Sequence, residues 1–500
     1  MKKYIFMRTL RSLVSIFLVT TLTYAIIYTL VPSRLIFLQD PNYNKMVTTP
    51  DKKVNYENTV FEKTGYIEYY NSKELQQKAS KMDSSVNVAV TDKNKAIYKK
   101  YIKSLGKGWK LHQFKTSKAF YATRKISVVE RVVKFYANLF VIDHPWKVQD
   151  PSNPNLKRYI HIENDTSAGL SVVGSGTTHK YLLYFNTKFP YIHQNFVTLN
   201  LGNSYPTYAN IPVLQVITQG QGKAKATEVK FPKGQTKVSP IDIYSRTYKS
   251  PKNADALDKA NFGANDAYTA TKNNFEDPSM ITNSFIAGII GIVISYAVGL
   301  PIGLFMARFK DKVSDNVLTA IMTFLLAVPS IAIIYVLRYF GSKIGFADTF
   351  PSLGAHDWRS YAAPGIILGV LNIPGIVIWF RRYLVDLQGS DFVRFARAKG
   401  LSESEISKKH LFKHAMVPVI SGIPASIILT ITGATLTETV FAFPGMGKML
   451  IDSIRAANNS MVVGLVFVFT VLSIFSLLVG DICMTILDPR IKLSSKKGGN

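Results

Sequence analysis

The sequence predicts an α-helical polytopic membrane protein with about six transmembrane helices and a large α+β extracellular domain between the first and second. Three observations carry that expectation. Apolar residues make up 47% of the 500, and they pile up near the N-terminus and after Met280 rather than spreading evenly. The piles break into runs of about 20 residues, the length a helix needs to cross a bilayer. Between them lies a polar stretch, 33–279, too long for a connector and too well patterned for a disordered chain.

Residues 1–32 hold a basic front end (Lys2, Lys3, Arg8, Arg11) and the first run, Leu10–Val31. The run is too long for a secretory signal and has no small-residue cleavage site, so it reads as a retained helix. In 33–279, strand-like runs stand at Tyr181–Phe185, Asn195–Leu201, Pro212–Thr218 and Ala226–Phe231, bounded by Gly, Pro and Asn. Lys93–Leu105 and Val128–Val141 look helical. The ends of this domain, near 33–55 and 250–279, are rich in Asn, Asp and Lys and read as looser. Its basic surface serves either solubility or docking to an acidic partner or the anionic envelope.

The second apolar region, 280–486, carries runs at Met280–Ala307, Val317–Phe340, Ala362–Phe380, Met416–Phe441 and Met461–Ile486. Prolines 301, 329, 364, 374, 418 and 424 and several glycines interrupt them. They serve either close helix packing or kinked helices around a path that opens. Basic residues collect at the N-terminus, at Arg308–Lys312, in 381–414 and in the tail 487–500. With six spans all four lie on one side, which the positive-inside rule makes the cytoplasm, leaving both termini cytoplasmic and 33–279 outside.

Asp391–Pro418, DFVRFARAKGLSESEISKKHLFKHAMVP, is the segment richest in meaning. It reads as two short amphipathic helices broken at Gly400. Phe392, Phe395, Ala396, Leu401, Ile406 and Leu411 supply apolar faces, and Arg394, Arg397, Lys399, Lys408, Lys409 and Lys413 stay wet. Ser402 with Glu405 fits a capping box. A structured basic knob between two spans offers itself to a partner.

Several chemistries lack their residues. The net charge of +28 accompanies no nucleic-acid motif, and its basic residues flank the apolar runs. The one cysteine, Cys483, sits in a run, so 33–279 has no disulfide staples. Gly445-Met446-Gly447-Lys448 is the nearest approach to a phosphate-binding loop and fails it, so no nucleotide-binding motif is present and the chain does not read as an enzyme. His410 and His414 stand at i, i+4 without the glutamate of a zinc motif and among lysines. His112, His144, His161, His179 and His193 are scattered, so no metal or other cofactor is expected. Midplane carboxylates, the usual currency of ion-coupled carriers, are limited to Glu438 and Asp481 near run ends. Energy therefore comes from another polypeptide through the basic knob.

DFVRFARAKGL followed by KHLFKHAMVP resembles the coupling loop of binding-protein-dependent importer permeases, in the form typical of dipeptide and oligopeptide systems. Gly400 and Ala396 match that loop's motif; Arg394 stands where the wider superfamily has an acid. TLTETVFAFPGMGKMLIDSI (435–454) is similar to the family's outer re-entrant segment, and LDPRIK (487–492) to its C-terminal signature. SYAVGLPIGLFMARFK (295–310) resembles its second span, and LGNSYPTYANIPVLQVI (201–217) its short outer element. Three features depart from the pattern: the longer outer segment, Val31-Pro32-Ser33-Arg34 after the first span, and Ala457-Asn458-Asn459-Ser460.

The resemblance implies a type I importer permease fold in the plasma membrane of a Gram-positive bacterium. It implies a homologous permease subunit, two ATP-binding subunits and an extracellular peptide-binding lipoprotein as partners, with an oligopeptide as substrate. Asp391, Phe392, Arg394, Phe395, Ala396, Arg397, Ala398, Lys399, Gly400, Leu401 and Pro418 become the ATPase-coupling residues, with Phe392, Phe395, Ala396 and Leu401 packing in a cleft of one ATPase. Glu438, Phe443, Pro444 and Gly445 are candidates for an outer gate. An ATPase-coupled signalling or mechanotransmission subunit that moves nothing across is the alternative from another class, and a secondary carrier is a third.

Overall fold

The computed structural model describes residues 2–487 except 47–48, 88–90, 148–154, 188–190, 249–253, 264–267 and 355–356. The tail 488–500, and with it all but the first residue of the LDPRIK stretch, lies outside the described residues. The chain forms two compact units. One comprises Met1–Gln39, Tyr205–Thr207 and Ser279–Asn500, and the other Asp40–Ser204 with Tyr208–Pro278.

The first unit is helical. Among the described residues, five helices are long and apolar enough to cross a membrane, or up to six if one bent pair counts as a span. Helix α1 (Lys2–Leu30) packs on α10 (Asn459–Leu487) and buries Tyr24 and Tyr28, whose rings stack at 4.3 Å. Arg8 of α1 pairs with Asp481 of α10 at 3.0 Å, so that carboxylate has a structural partner.

The closest helix pair is α2 (Met280–Arg308) against α5 (Trp358–Gln388). Small residues set their spacing, as membrane helices without a hydrophobic driving force require. A Cβ on Gly369 would stand 2.8 Å from Ile294 Cβ and 3.0 Å from the Gly291 carbonyl oxygen. Ser295 Oγ donates across the seam to the Gly369 carbonyl at 3.0 Å.

The third expected span, Val317–Phe340, is broken in the structure. It is two helices, α3 (Val313–Ala327) and α4 (Ser330–Lys343), bent by 102° at their junction. The cause is Pro329, which forces Val328 into extended backbone at φ −70° and ψ 133°. Each piece rises about 22 Å, short of the roughly 30 Å of hydrocarbon.

The expected pair of separate knob helices is also revised. The first, α6 (Asp391–Ala398), stands alone. The second opens at the Ser402–Glu405 capping box and runs through a π-helical turn, Ile406–Leu411, into α7 (Phe412–Gly433). Helices α8 (Thr435–Val440) and α9 (Met446–Arg455) follow before α10.

The second unit is α+β. A three-stranded antiparallel sheet has Phe120–Lys125 at its centre, flanked by Ile67–Tyr70 and Trp109–Gln113. Helices Ser72–Ala79 and Asp92–Ser104 cover it, burying Leu75, Ala79, Tyr98, Ile102, Phe120 and Ala122. A second sheet runs in sequence order through Ile160–Asp165, Gly169–Gly174, Tyr181–Phe185 and His193–Gln194. Arg124 lies between Glu68 and Glu130, donating to both at 2.7–3.0 Å and tying sheet to helix Val128–Ala137.

Three expectations change here. Pro212–Thr218 is no strand but a helix, Val213–Thr218, because Val213, Val216 and Ile217 bury at helical spacing after an N-capping proline. The helix expected over Val128–Val141 ends at Ala137, and Val141 pairs in a strand with Thr198. The segment 33–55, expected to be looser, carries short helices at Ser33–Phe37, Pro41–Lys45 and the start of Pro50–Lys63. Asp40 accepts from the Asn42 amide at 2.9 Å and from Tyr56 Oη at 2.8 Å, fixing the helices Pro41–Lys45 and Pro50–Lys63.

Candidate functional site

The basic knob is a wedge with one face inward. Val393 and Ala396, three apart on α6, are 0% and 4% exposed. They pack with Phe380 and Leu384 of α5, Ala307 of α2, and Ile406, Leu411 and Ala415 on the way into α7. Ala396 was expected in a partner's cleft. The structure turns it into this chain's own core, since the i, i+3 spacing puts it on the same face as Val393. Val393, absent from the sequence-derived set, is the deeper anchor; its helical spacing from Ala396 is the signal that could have found it.

The outward face carries Asp391, Arg394, Phe395, Ala398 and Lys399. Phe395 is 63% exposed, with Lys399 Nζ 4.5 Å from its ring centre. Phe392 is half-buried, its ring against His414 at 4.7 Å. Gly400 ends α6 in the left-handed region at φ +79°, which lets the Leu401 amide turn back to the Ala396 carbonyl at 3.3 Å. Arg397 then pairs with Glu403 at 2.7 Å across the turn. The structure thus brings Asp391 through Leu401 together. Pro418 stands apart, about 9 Å further along α7 at 1.5 Å per residue.

A buried ion pair braces the base of this wedge. Asp315, on the first turn of α3, is 0% exposed and takes Arg381 Nε at 2.6 Å and Nη2 at 2.5 Å. The Asp311 amide donates to the same carboxylate at 3.0 Å. Gln388 Nε2 donates to the Ala307 carbonyl at 3.0 Å. The α2–α3 turn is therefore fastened to the end of α5 from which α6 departs. Sequence reading counted Arg381 only as loop charge; an aspartate opening an apolar helix was the available clue.

The four residues singled out at 438–445 also meet. Glu438 is 1% exposed and Phe443 0%. Ser284 Oγ donates to Glu438 Oε1 at 2.7 Å, and the Lys448 amide to Oε2 at 2.8 Å. The Met446 amide donates to Ser284 Oγ at 2.8 Å, and Asn283 Nδ2 to the Pro444 carbonyl at 3.0 Å. A side chain on Gly445 would run into the Glu438 carboxylate. The turn 441–446 is thus wrapped around one carboxylate and sewn to the start of α2. Phe443 closes it with edge contacts to Phe350 and Tyr361.

Asn458, within a segment that departs from the family pattern, is 0% exposed. It accepts from the Tyr205 amide at 3.3 Å and donates to Thr207 Oγ1 at 2.8 Å. It also caps α10 by accepting from the Met461 amide at 3.2 Å. Among the described residues no group of three His, Cys, Asp or Glu side chains gathers as a metal site.

Helices long and apolar enough to cross a membrane, with a braced, basic wedge between two of them, define an integral-membrane protein. Residues 299–493 match the family described as binding-protein-dependent transport system inner membrane component, and the chain belongs to that family. It is 66% identical over 498 residues, 100% of both chains, to the oligopeptide transport system permease protein AmiC of Streptococcus pneumoniae serotype 4. The dipeptide transport system permease protein DppB of Lactococcus lactis is 31% identical over 169 residues, 34% of this chain and 55% of that one. The glutathione transport system permease protein GsiC of Escherichia coli K12 is 29% identical over 157 residues, 31% and 50% of the two chains.

Proposed function

We propose that this chain is a permease subunit of an ATP-driven, binding-protein-dependent oligopeptide importer. It forms the path with a homologous permease, takes its push from two ATP-binding subunits, and receives peptide from an extracellular lipoprotein. The observation that carries this reading is the 66% identity along the whole length of an oligopeptide permease. The positive-inside argument supports cytoplasmic termini and wedge, with Asp40–Ser204 and Tyr208–Pro278 outside.

In this reading the outward face of α6 (Phe395, Arg394, Lys399) seats on an ATPase. The inward face supports a rigid transfer of motion. Val393 and Ala396 are packed on α5 and α7, and close-packed contacts pass displacement on rather than absorbing it. The Asp315–Arg381 brace carries the same push to α2 and α3. ATPase closure then tilts the spans and opens the far side, where Glu438 and the Phe443-Pro444-Gly445 turn act as a gate element.

Uptake of radiolabelled oligopeptide by a deletion strain, complemented or not with this chain, tests the proposal. ATP-dependent uptake only in the complemented strain is expected. No uptake in either would favour a signalling subunit, and uptake abolished by an ionophore but indifferent to ATP a secondary carrier.

A further inference from the structure

A cavity of about 270 Å³ opens among α2, α5 and α7, lined by Tyr296, Gly375, Trp379, Pro418, Gly422 and Ser426. Its depth is notable on all three helices. Tyr296 lies about 24 Å from Met280 and about 18 Å from Arg308 along α2, at 1.5 Å per residue. Gly375 lies about 26 Å and about 20 Å from the ends of α5, and Gly422 about 15 Å and about 17 Å from those of α7. Measured on the apolar runs, the cavity lies inside all three but toward the end that carries the wedge: Trp379 closes the run 362–380, Pro418 opens 416–441, and Tyr296 stands within 280–307.

Tyr296 Oη and Ser426 Oγ meet at 2.9 Å, and either atom can be the donor. A hydroxyl both donates and accepts, so the pair can open and re-pair with an incoming N–H or C=O. Gly375 and Gly422 leave bare backbone facing open space, with nothing within 4 Å of where a Cβ would stand on either. Trp379 is 45% exposed and lies parallel to Tyr383 at 6.0 Å, a flat apolar wall indifferent to what rests on it.

We infer that this cavity is a contact site for the main chain of a passing oligopeptide. The hydroxyl pair exchanges its mutual hydrogen bond for the peptide's amide groups, and the Trp379 face receives side chains of any kind. The inference rests on the transport reading above and adds the residues that touch the substrate. The recognised groups are the ones every peptide shares. An N–H or C=O entering among these apolar runs must find a partner there, because an unpaired amide in an apolar medium costs several kcal/mol. At about 270 Å³ the cavity falls just under the roughly 300–1,000 Å³ of sites that enclose a whole ligand. It suits a part of an extended chain, held briefly and released. An acyl chain would leave the hydroxyl pair without purpose, and a second permease subunit seated here would close the cavity.

Cysteine accessibility decides between these occupants. The chain has one cysteine, so a Cys483→Ser background gives a clean reporter. In that background Gly422→Cys and Gly375→Cys are introduced one at a time. Val313→Cys, 79% exposed at the start of α3 beside the basic turn Arg308–Lys312, is the reference. The assembled transporter in vesicles is treated with a maleimide, with and without saturating unlabelled oligopeptide.

Alkylation at 375 and 422 is expected, slowed by saturating peptide in proportion to the time that the cavity is occupied. Alkylation at 313 is expected to be unaffected by peptide. Labelled-peptide uptake should fall on alkylation at 375 or 422, and Tyr296→Phe with Ser426→Ala should weaken the protection by peptide. Unreactive cysteines at both positions, or alkylation that peptide does not slow, would overturn the site while leaving the transport reading intact. A wild-type complex that takes up no peptide at all would overturn both.

Discussion

Breaking the Asp315–Arg381 brace should cost stability in an order that simple counting of lost contacts would not give. Asp315 is 0% exposed, while the Arg381 side chain is 24% exposed. Arg381→Met leaves a buried carboxylate with only the Asp311 amide, and removing one member of a buried pair costs about 3–5 kcal/mol. Asp315→Asn keeps an acceptor for that amide and leaves an arginine with a route to water, so about 1–3 kcal/mol is expected. Asp315→Leu with Arg381→Met removes charge and partner together, and such replacements range from neutral to stabilising. The double variant should therefore be more stable than Arg381→Met alone. Reversible SDS titration of the detergent-solubilised chain, followed by tryptophan fluorescence, reads the order; Trp379 stands two residues from Arg381. A double variant no more stable than Arg381→Met would refute the claim that an unpaired buried charge dominates.

Four further outcomes follow from the same geometry. Gly369→Ala should destabilise the α2–α5 pair by about 1–3 kcal/mol through overpacking, while Gly375→Ala, facing open space, should be near neutral in the same titration. Gly445→Ala should loosen the turn held by Glu438, seen as faster proteolysis or hydrogen exchange over 441–446. In the second unit, Arg124 and then Lys134 hold the Glu130 carboxyl down at about 2, and Arg124 lowers Glu68 as well. These folded-state values lie below the ordinary carboxylate value of about 4.3, so the unfolded chain binds protons more tightly. Their stabilisation is whole at neutral pH and is lost as pH falls from about 5 toward 2; protection of Val128–Ala137 against hydrogen exchange should fall over that window.

What was legible in the sequence was local. Long apolar runs gave the spanning helices, because length and composition alone decide whether a helix tolerates hydrocarbon. Ser402 and Glu405 gave the capping box the structure contains, with both hydrogen bonds present, since its partners are three residues apart. The antiparallel sheets and flanking helices of the second unit were anticipated as a class but not in their order. The break at Val328-Pro329 was legible as one of two alternatives, since Pro329 is among the prolines read as close packing or as kinks; its size, 102°, was not.

The rest depends on pairs set by the fold. Nothing in the sequence joins Asp315 to Arg381, Ser284 to Glu438, or Asn458 to Tyr205 and Thr207. The amphipathic reading of 391–401 identified which residues were apolar, not which of them the chain would keep for itself. Val393 and Ala396 went inward and Phe395 outward because α5 and α7 arrive from one side only. The π-helical turn at Ile406–Leu411 has no pattern of its own and follows from joining the capped turn to α7.

The coupling role of the wedge is tested most directly by ATP-dependent uptake of a labelled oligopeptide into vesicles holding the whole transporter. Two changes on the wedge are compared with wild type: Phe395→Asp, on its outward face, and Gly400→Pro, which cannot hold φ +79°. Wild-type uptake that stops without ATP is expected, with uptake lost in both variants while each still inserts and carries its homologous permease. Normal uptake by either variant, or ATP hydrolysis by the purified chain alone, would contradict a conduit driven through this wedge.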